Sequence, residues 1–277
     1  MEEKFCISVV VDGKYEKYIP YFILFIINSN PNAFIKIFFL EKLSTLTSQL
    51  IDKLNIKKNI SVEENFFSDF PKSNQQLKSI RWLIPRSHFN EFDYIYMGDV
   101  DMLICETVLD IHKKHATKNQ NFYSNSIRDN QKRFTGLHFF EVSPYYDEIE
   151  DIITKKRKEI RLGKINFKNY RNEHLLYDII KESKLSLPKK ENRIDINGIG
   201  PHHGIHLGLW RKGGLHDGVR TEKKKIQEEF MIKDNYLTHY NFFKSIRKSD
   251  EFDLLYKKLP IVEIENMERY FLKKFNL

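Results

Sequence analysis

A chain of 277 residues with 41% hydrophobic and 14% aromatic side chains can bury a full core, as one large domain or a domain plus an appendage, which excludes a disordered polymer. Its formal net charge of +8 favours an anionic partner: nucleotide phosphates, anionic lipid or nucleic acid. No signal peptide is visible at Met1-Glu2-Glu3-Lys4, and the longest apolar stretch, Ile19 to Ile27, falls well short of the ~20 residues of a membrane-spanning helix.

In chain order, Phe5 to Val11 reads as a buried strand closed by the Asp12-Gly13 turn signal. Tyr18 to Ile27 reads as an apolar helix, Phe34 to Leu40 as a second strand, Thr45 to Leu54 as a helix and Ile60 to Glu63 as a third short strand. Ser73 to Leu83 reads as a helix stopped by Pro85, and Asp93 to Met97 as the next strand. Phe122-Tyr123 and Leu137 to Val142 read as strands around a turn at Gly136. Tyr145 to Arg161 and Arg171 to Ser183 read as helices. Strands alternating with helices predict βαβ units and a mostly parallel sheet flanked by helices. From Asp217 the chain turns to charged helical segments punctuated by aromatics, giving an expected division into a domain at 1–216 and a helical C-terminal extension at 217–277. Cys6 and Cys105 sit in or beside apolar runs, which suits buried free thiols in a reducing compartment; a cytoplasmic protein, soluble or peripheral on the inner face of a membrane, is expected.

The run Asp93-Tyr94-Ile95-Tyr96-Met97-Gly98-Asp99-Val100-Asp101 carries the most chemistry. Residues i and i+2 of an extended segment share a face, so Asp99 and Asp101 point the same way and repel unless a cation lies between them. Hard carboxylate oxygens suit Mg2+ or Mn2+ held together with substrate phosphates, and the carboxyl ends of strands in open α/β sheets are where ligands bind. His202, His203 and His206 cluster within Pro201 to Gly208, and imidazole, which suits Mn2+ better than Mg2+, completes an Asp-Asp-His site from one of them. Gly198, Gly200, Gly204 and Gly208 fit a loop whose backbone closes over phosphates, to which Lys212 adds a positive contact.

With these motifs in order over about residues 4–212, the chain resembles GT-A glycosyltransferases, above all family 8 (glycogenin and bacterial lipopolysaccharide galactosyltransferases), with features of family 6. The matching segments are Val9-Val10-Val11-Asp12, Arg81 in Ser79 to Pro85, the Asp99-Val100-Asp101 strand, Phe134 to Phe140 with Gly136, the acidic helix start Asn172-Glu173-His174, and His206-Leu207-Gly208-Leu209-Trp210. The resemblance implies a Rossmann-like GT-A sheet and a UDP-linked hexose donor. The acceptor it implies is a saccharide or lipid-linked glycan in bacterial surface polysaccharide synthesis. It places Val10 and Asp12 at the nucleobase, Arg81 and Gly208 at the donor, and Gly136 beside the donor or acceptor sugar. Asp101 becomes the direct metal ligand and Asp99 its partner toward the ribose. His206 is the favoured third ligand and His203 its competitor. Family 8 carries Asp-Gln-Asp where this chain has Asn172-Glu173-His174. Glu173, with Asn172, is therefore read either as nucleophile or ion-pair stabiliser of a retaining reaction or as general base of an inverting one.

Two other classes use the same residues. A metal-dependent phosphohydrolase would use the Asp pair, but haloacid-dehalogenase-type enzymes place it after their first strand. A basic nucleic-acid-binding protein is permitted by charge, yet the positive residues are scattered among acids without zinc-finger or RNA-binding aromatic spacing, so no nucleic acid is expected. The C-terminal stretch Asn266 to Leu277 mixes aromatic and basic residues, which suits either an anionic membrane interface or a helix packed on the domain.

Overall fold

The computed structural model describes residues 3–55, 59–70, 78–110, 112–113, 122–128, 132–165, 171–185, 203–211 and 236–275. Eight strands are formed among them: β1 (Phe5–Val11), β2 (Phe34–Phe39), β3 (Ile60–Glu63), β4 (Tyr94–Met97), β5 (Met102–Ile104), β6 (Phe122–Arg128), β7 (Arg133–Glu141) and β8 (Gly204–His206). The principal helices are α1 (Ile19–Ser29), α2 (Thr45–Leu54), α3 (Val142–Arg161), α4 (Asn172–Glu182), α5 (Tyr236–Arg247), α6 (Asp250–Lys258) and α7 (Val262–Phe275). The main sheet runs β3-β2-β1-β4-β7-β6, with the first four strands parallel and β7 antiparallel to both neighbours. This is the mixed, mostly parallel α/β sheet expected of a GT-A fold.

Alternation along the strands sorts side chains into two cores, one on each face. Ile7, Val9, Val11, Ile35, Ile37, Phe39 and Tyr96 pack with α1 and α2 on one face. Cys6, Phe38, Ile95, Met97 and Phe140 pack with α3 and α4 on the other. α1 is buried from Ile19 to Ile26, as its unbroken apolar run requires. α2 is amphipathic and starts where the Ser44 hydroxyl accepts the Thr47 N–H at 3.2 Å. Both cysteines are buried and unbridged, and burial pushes their thiols up.

The described part of the C-terminal extension does not stand apart. Phe243, Phe252, Ile264, Met267 and Phe271 belong to the same core as β1 and α1. The apolar side of α7 is thus spent on the protein itself, leaving Val262, Leu272, Lys273 and Lys274 outward. The expected division at 216/217 lies outside the described residues. No described helix is long and apolar enough to cross a membrane.

Two local readings are corrected. Gly136 is inside β7, not in a turn: Ser124 pairs with His138 but Ser126 with Thr135, so an extra residue of β7 bulges at Gly136–Leu137. The stretch expected as a helix from Ser73 to Leu83 is described only from 78, where it is helical and ends in 3-10 geometry at Ile80–Trp82. The Asp pair follows β4 rather than lying on it. The strand ends at Met97, and Asp99 to Asp101 form a turn closed by the Met102 N–H on the Asp99 carbonyl at 3.2 Å.

Candidate active site

The C-terminal ends of the parallel strands β1 and β4 open onto a cavity of about 300 Å3. Val10, Val11 and Asp12 line it from β1, Arg81 from the helical turn, Asp99 to Asp101 from the turn after β4, Asn172 and Glu173 from the start of α4, and His206 and Arg211 from the segment around β8. Segments up to two hundred residues apart in sequence meet here.

A two-stranded ribbon makes the meeting possible. β5 pairs antiparallel with β8, matching Met102 with His206, Leu103 with Ile205 and Ile104 with Gly204. The Leu207 N–H extends the ladder by donating to the Asp101 carbonyl at 2.8 Å. At Gly204 the two backbones come so close that a Cβ would lie 1.9 Å from the Leu103 carbonyl oxygen, so only glycine fits.

This pairing brings one ligand atom each from Asp99, Asp101 and His206 within 4.8 Å of one another. The donor set, two carboxylates and an imidazole, suits Mn2+ or Mg2+, with the imidazole favouring Mn2+. Gly208 leaves the space open: a Cβ there would sit 3.0 Å from His206 Nε2 and 3.3 Å from Asp101 Oδ2. The two aspartates differ in setting. The Asp101 side chain is 7% exposed and the Asp99 side chain 41%. Burial pushes the Asp101 carboxyl up, but the His206 ring and the Arg211 guanidinium outweigh it and hold the group below the usual carboxylate range. Burial likewise pushes His206 down, while Asp101 and then Asp99 pull it above the ordinary histidine value.

Each carboxylate also carries a guanidinium. Arg81 Nη1 reaches Asp99 Oδ1 at 2.5 Å and the Gly98 carbonyl at 3.3 Å, with its guanidinium stacked 4.9 Å from the centre of the Trp82 ring. Trp82 rests edge-on against His138, which burial keeps neutral by lowering its pKa to about 3. Arg211 Nη2 reaches Asp101 Oδ2 at 2.6 Å, and its guanidinium lies over the Tyr15 ring. Arg211, Tyr15 and Lys78 line the cavity without having been singled out from sequence as site residues. The basic Trp210-Arg211-Lys212 run was the available signal for Arg211, and Lys212 itself lies outside the described residues, as does His202.

His203 is close in sequence but plays another part. It is 3% exposed, with Nδ1 3.0 Å from His112 Nε2 and Nε2 3.2 Å from the Tyr96 hydroxyl. It supports the strand that leads into Gly98 and stands outside the Asp99–Asp101–His206 group, its ring packed edge-on against Tyr96 just before β8 begins. Asn172 and Glu173 open α4, where the Arg171 N–H donates to His174 Nδ1 at 2.9 Å. Glu173 Oε1 lies 3.3 Å from Arg133 Nη2 of β7, and its Oε2 is buried without a hydrogen bond among the described residues. Gly136 is described only as a backbone position in β7.

No protein-family model and no curated protein matches the chain. Solved structures do. The glycosyltransferase GlyE of Streptococcus pneumoniae TIGR4 superimposes on 90% of this chain, and on 66% of its own length, with a TM-score of 0.52 at 14% identity. The galactosyltransferase LgtC, solved with donor and acceptor sugar analogues, covers 62% of this chain and 69% of its own at a TM-score of 0.41 and 14% identity. The bifunctional glycosyltransferase WbbM covers 66% of this chain at a TM-score of 0.46 and 14% identity, and this chain spans only 37% of it. The chain has the GT-A fold found in glycosyltransferases.

Proposed function

We propose that the chain is a metal-dependent glycosyltransferase that moves a hexose from a nucleotide sugar, UDP-linked, to a saccharide or lipid-linked glycan of the bacterial surface. One observation carries this reading: the end of β1, Arg81, the Asp pair, His206 and the start of α4 all line one cavity at the carboxyl ends of parallel strands.

The roles follow from position and charge. Val10 to Asp12 at the end of β1 form the nucleoside side of the cavity. Asp101, Asp99 and His206 hold the cation, Mn2+ or Mg2+, which when bound neutralises charge on the departing diphosphate. Arg81 and Arg211 bring fixed positive charge to the same place, aimed where negative charge develops and needing no reorganisation. Glu173, held through one oxygen by Arg133, lines the cavity at the start of α4, where it serves as nucleophile or ion-pair stabiliser, or as base for the acceptor hydroxyl; Asn172 beside it is a polar contact for the sugar. Gly136 belongs to the sugar end and Lys212 to the diphosphate end of this scheme. Contact with an anionic membrane, if the acceptor is lipid-linked, would use the outward Leu272, Lys273 and Lys274 of α7.

Incubation with a panel of nucleotide sugars, with and without Mn2+, tests the reading. Metal-dependent release of nucleoside diphosphate from a UDP-hexose is expected, and transfer once a saccharide acceptor is added. Absence of turnover with every donor would refute it.

A further inference from the structure

The site has a component outside the segments so far assigned to it, on the C-terminal helix. Glu263 in the first turn of α7 is 6% exposed, an expensive place for a carboxylate without partners. Three groups surround it. The Tyr18 hydroxyl donates to Oε1 at 2.8 Å, Lys17 Nζ lies 3.6 Å from Oε2, and Arg211 Nε lies 3.7 Å from Oε1. Arg211 therefore spans two buried carboxylates, Asp101 through Nη2 and Glu263 through Nε.

The same helix grips the chain on either side of that arginine. Asn266 Nδ2 donates to the Trp210 carbonyl at 2.9 Å, and the Trp210 ring packs against Tyr270 at 4.9 Å and Phe271 at 5.8 Å. Tyr15 completes the enclosure from the β1 side, its hydroxyl 3.3 Å from Arg211 Nη1. A long, rotamer-rich side chain is thus held in one orientation at the mouth of the cation site, with its entropy cost met by the protein before any ligand arrives.

We infer that Glu263 is a positioning residue for Arg211, so that α7 is part of the donor site rather than an appendage to it. This rests on the proposed nucleotide-sugar function and adds a residue to it. Glu263 touches no substrate: it acts by fixing the guanidinium where a diphosphate meets both the cation and Arg211.

A double-mutant cycle on the full chain tests this, with UDP affinity measured calorimetrically at saturating Mn2+ and melting temperature recorded for each variant. Glu263→Gln should weaken UDP binding about tenfold, a size typical of a lost charge-assisted contact. Arg211→Met should weaken it at least as much, and the double variant should match Arg211→Met alone. Tyr18→Phe, which leaves the Glu263 charge in place but removes its hydrogen bond, should weaken UDP severalfold, again only when Arg211 is present, and serves if Glu263→Gln does not fold. Unchanged UDP affinity in Glu263→Gln, or an equal loss with and without Arg211, would overturn the inference while leaving the function intact. Wild-type protein that binds no UDP would remove the function, and this inference with it.

Discussion

His206 Nε2 lies 3.4 Å from Asp101 Oδ2 although the two residues are more than a hundred positions apart, because β5 and β8 pair Met102 with His206 directly after the aspartate. The candidate metal site is therefore a product of strand register as much as of ligand chemistry. Shifting that ribbon by one residue would turn His206 to the opposite face.

The first prediction concerns the hinge of that register. Gly204→Ala would drive a methyl group into the Leu103 carbonyl, so β5 and β8 must separate. A loss of more than about 2 kcal/mol in stability is expected, since overlap with backbone cannot be relieved by a side-chain rotation. Chemical denaturation measures it; a variant as stable as the wild type would show that the ribbon does not have this pairing.

Gly208→Ala should behave differently. Its added methyl would approach His206 Nε2 and Asp101 Oδ2 at 3.0 and 3.3 Å, contacts that side chains relieve by moving slightly. We expect a melting temperature near the wild-type value with Mn2+ affinity reduced severalfold, read by electron paramagnetic resonance of free Mn2+. Unaltered affinity would place the cation elsewhere.

The third prediction is a pH dependence of stability. His138 is buried, its Nε2 2.8 Å from the Tyr145 hydroxyl, and burial lowers its pKa to about 3. In the unfolded chain it titrates near 6.5. Between these values the unfolded state binds a proton that the folded state refuses, so the stabilising contribution is full above about 6.5 and is lost as pH falls toward 3. The slope is about 1.4 kcal/mol per pH unit for one proton. His138→Gln should flatten the stability profile between pH 6 and 4 by roughly that amount, and an unchanged slope would show that His138 is not held neutral.

Much of this architecture was legible in the chain. Apolar runs such as Phe5 to Val11, interrupted only by Ser8, and the helical spacing of Thr45 to Leu54 mark β1 and α2 at their observed ends, because burial on both faces or on one stripe leaves a direct trace in sequence. β5 and β8 left almost none: three residues each are too few for a period, and their pairing is decided by distant backbone fit at Gly204. For the same reason the choice between His203 and His206 could be narrowed by resemblance but not by spacing, since His203 precedes β8 with its ring at Tyr96, while His206 ends β8 beside Asp101. Arg211 and Glu263 were illegible as a pair, being fifty residues apart and joined only when α7 docks on the core. Gly136 misled because a glycine between apolar runs signals a turn, whereas here it lies in a β-bulge.

The central claim is that Asp99, Asp101 and His206 hold a cation on which a nucleoside diphosphate depends. Calorimetric titration of UDP into wild-type protein and Asp101→Asn, each with and without Mn2+, tests it most directly. The wild type should bind UDP at least tenfold more tightly with Mn2+ than without, and Asp101→Asn should lose that enhancement while still melting cooperatively. UDP binding that is indifferent to Mn2+, or an Asp101→Asn variant that keeps the full enhancement, would contradict it.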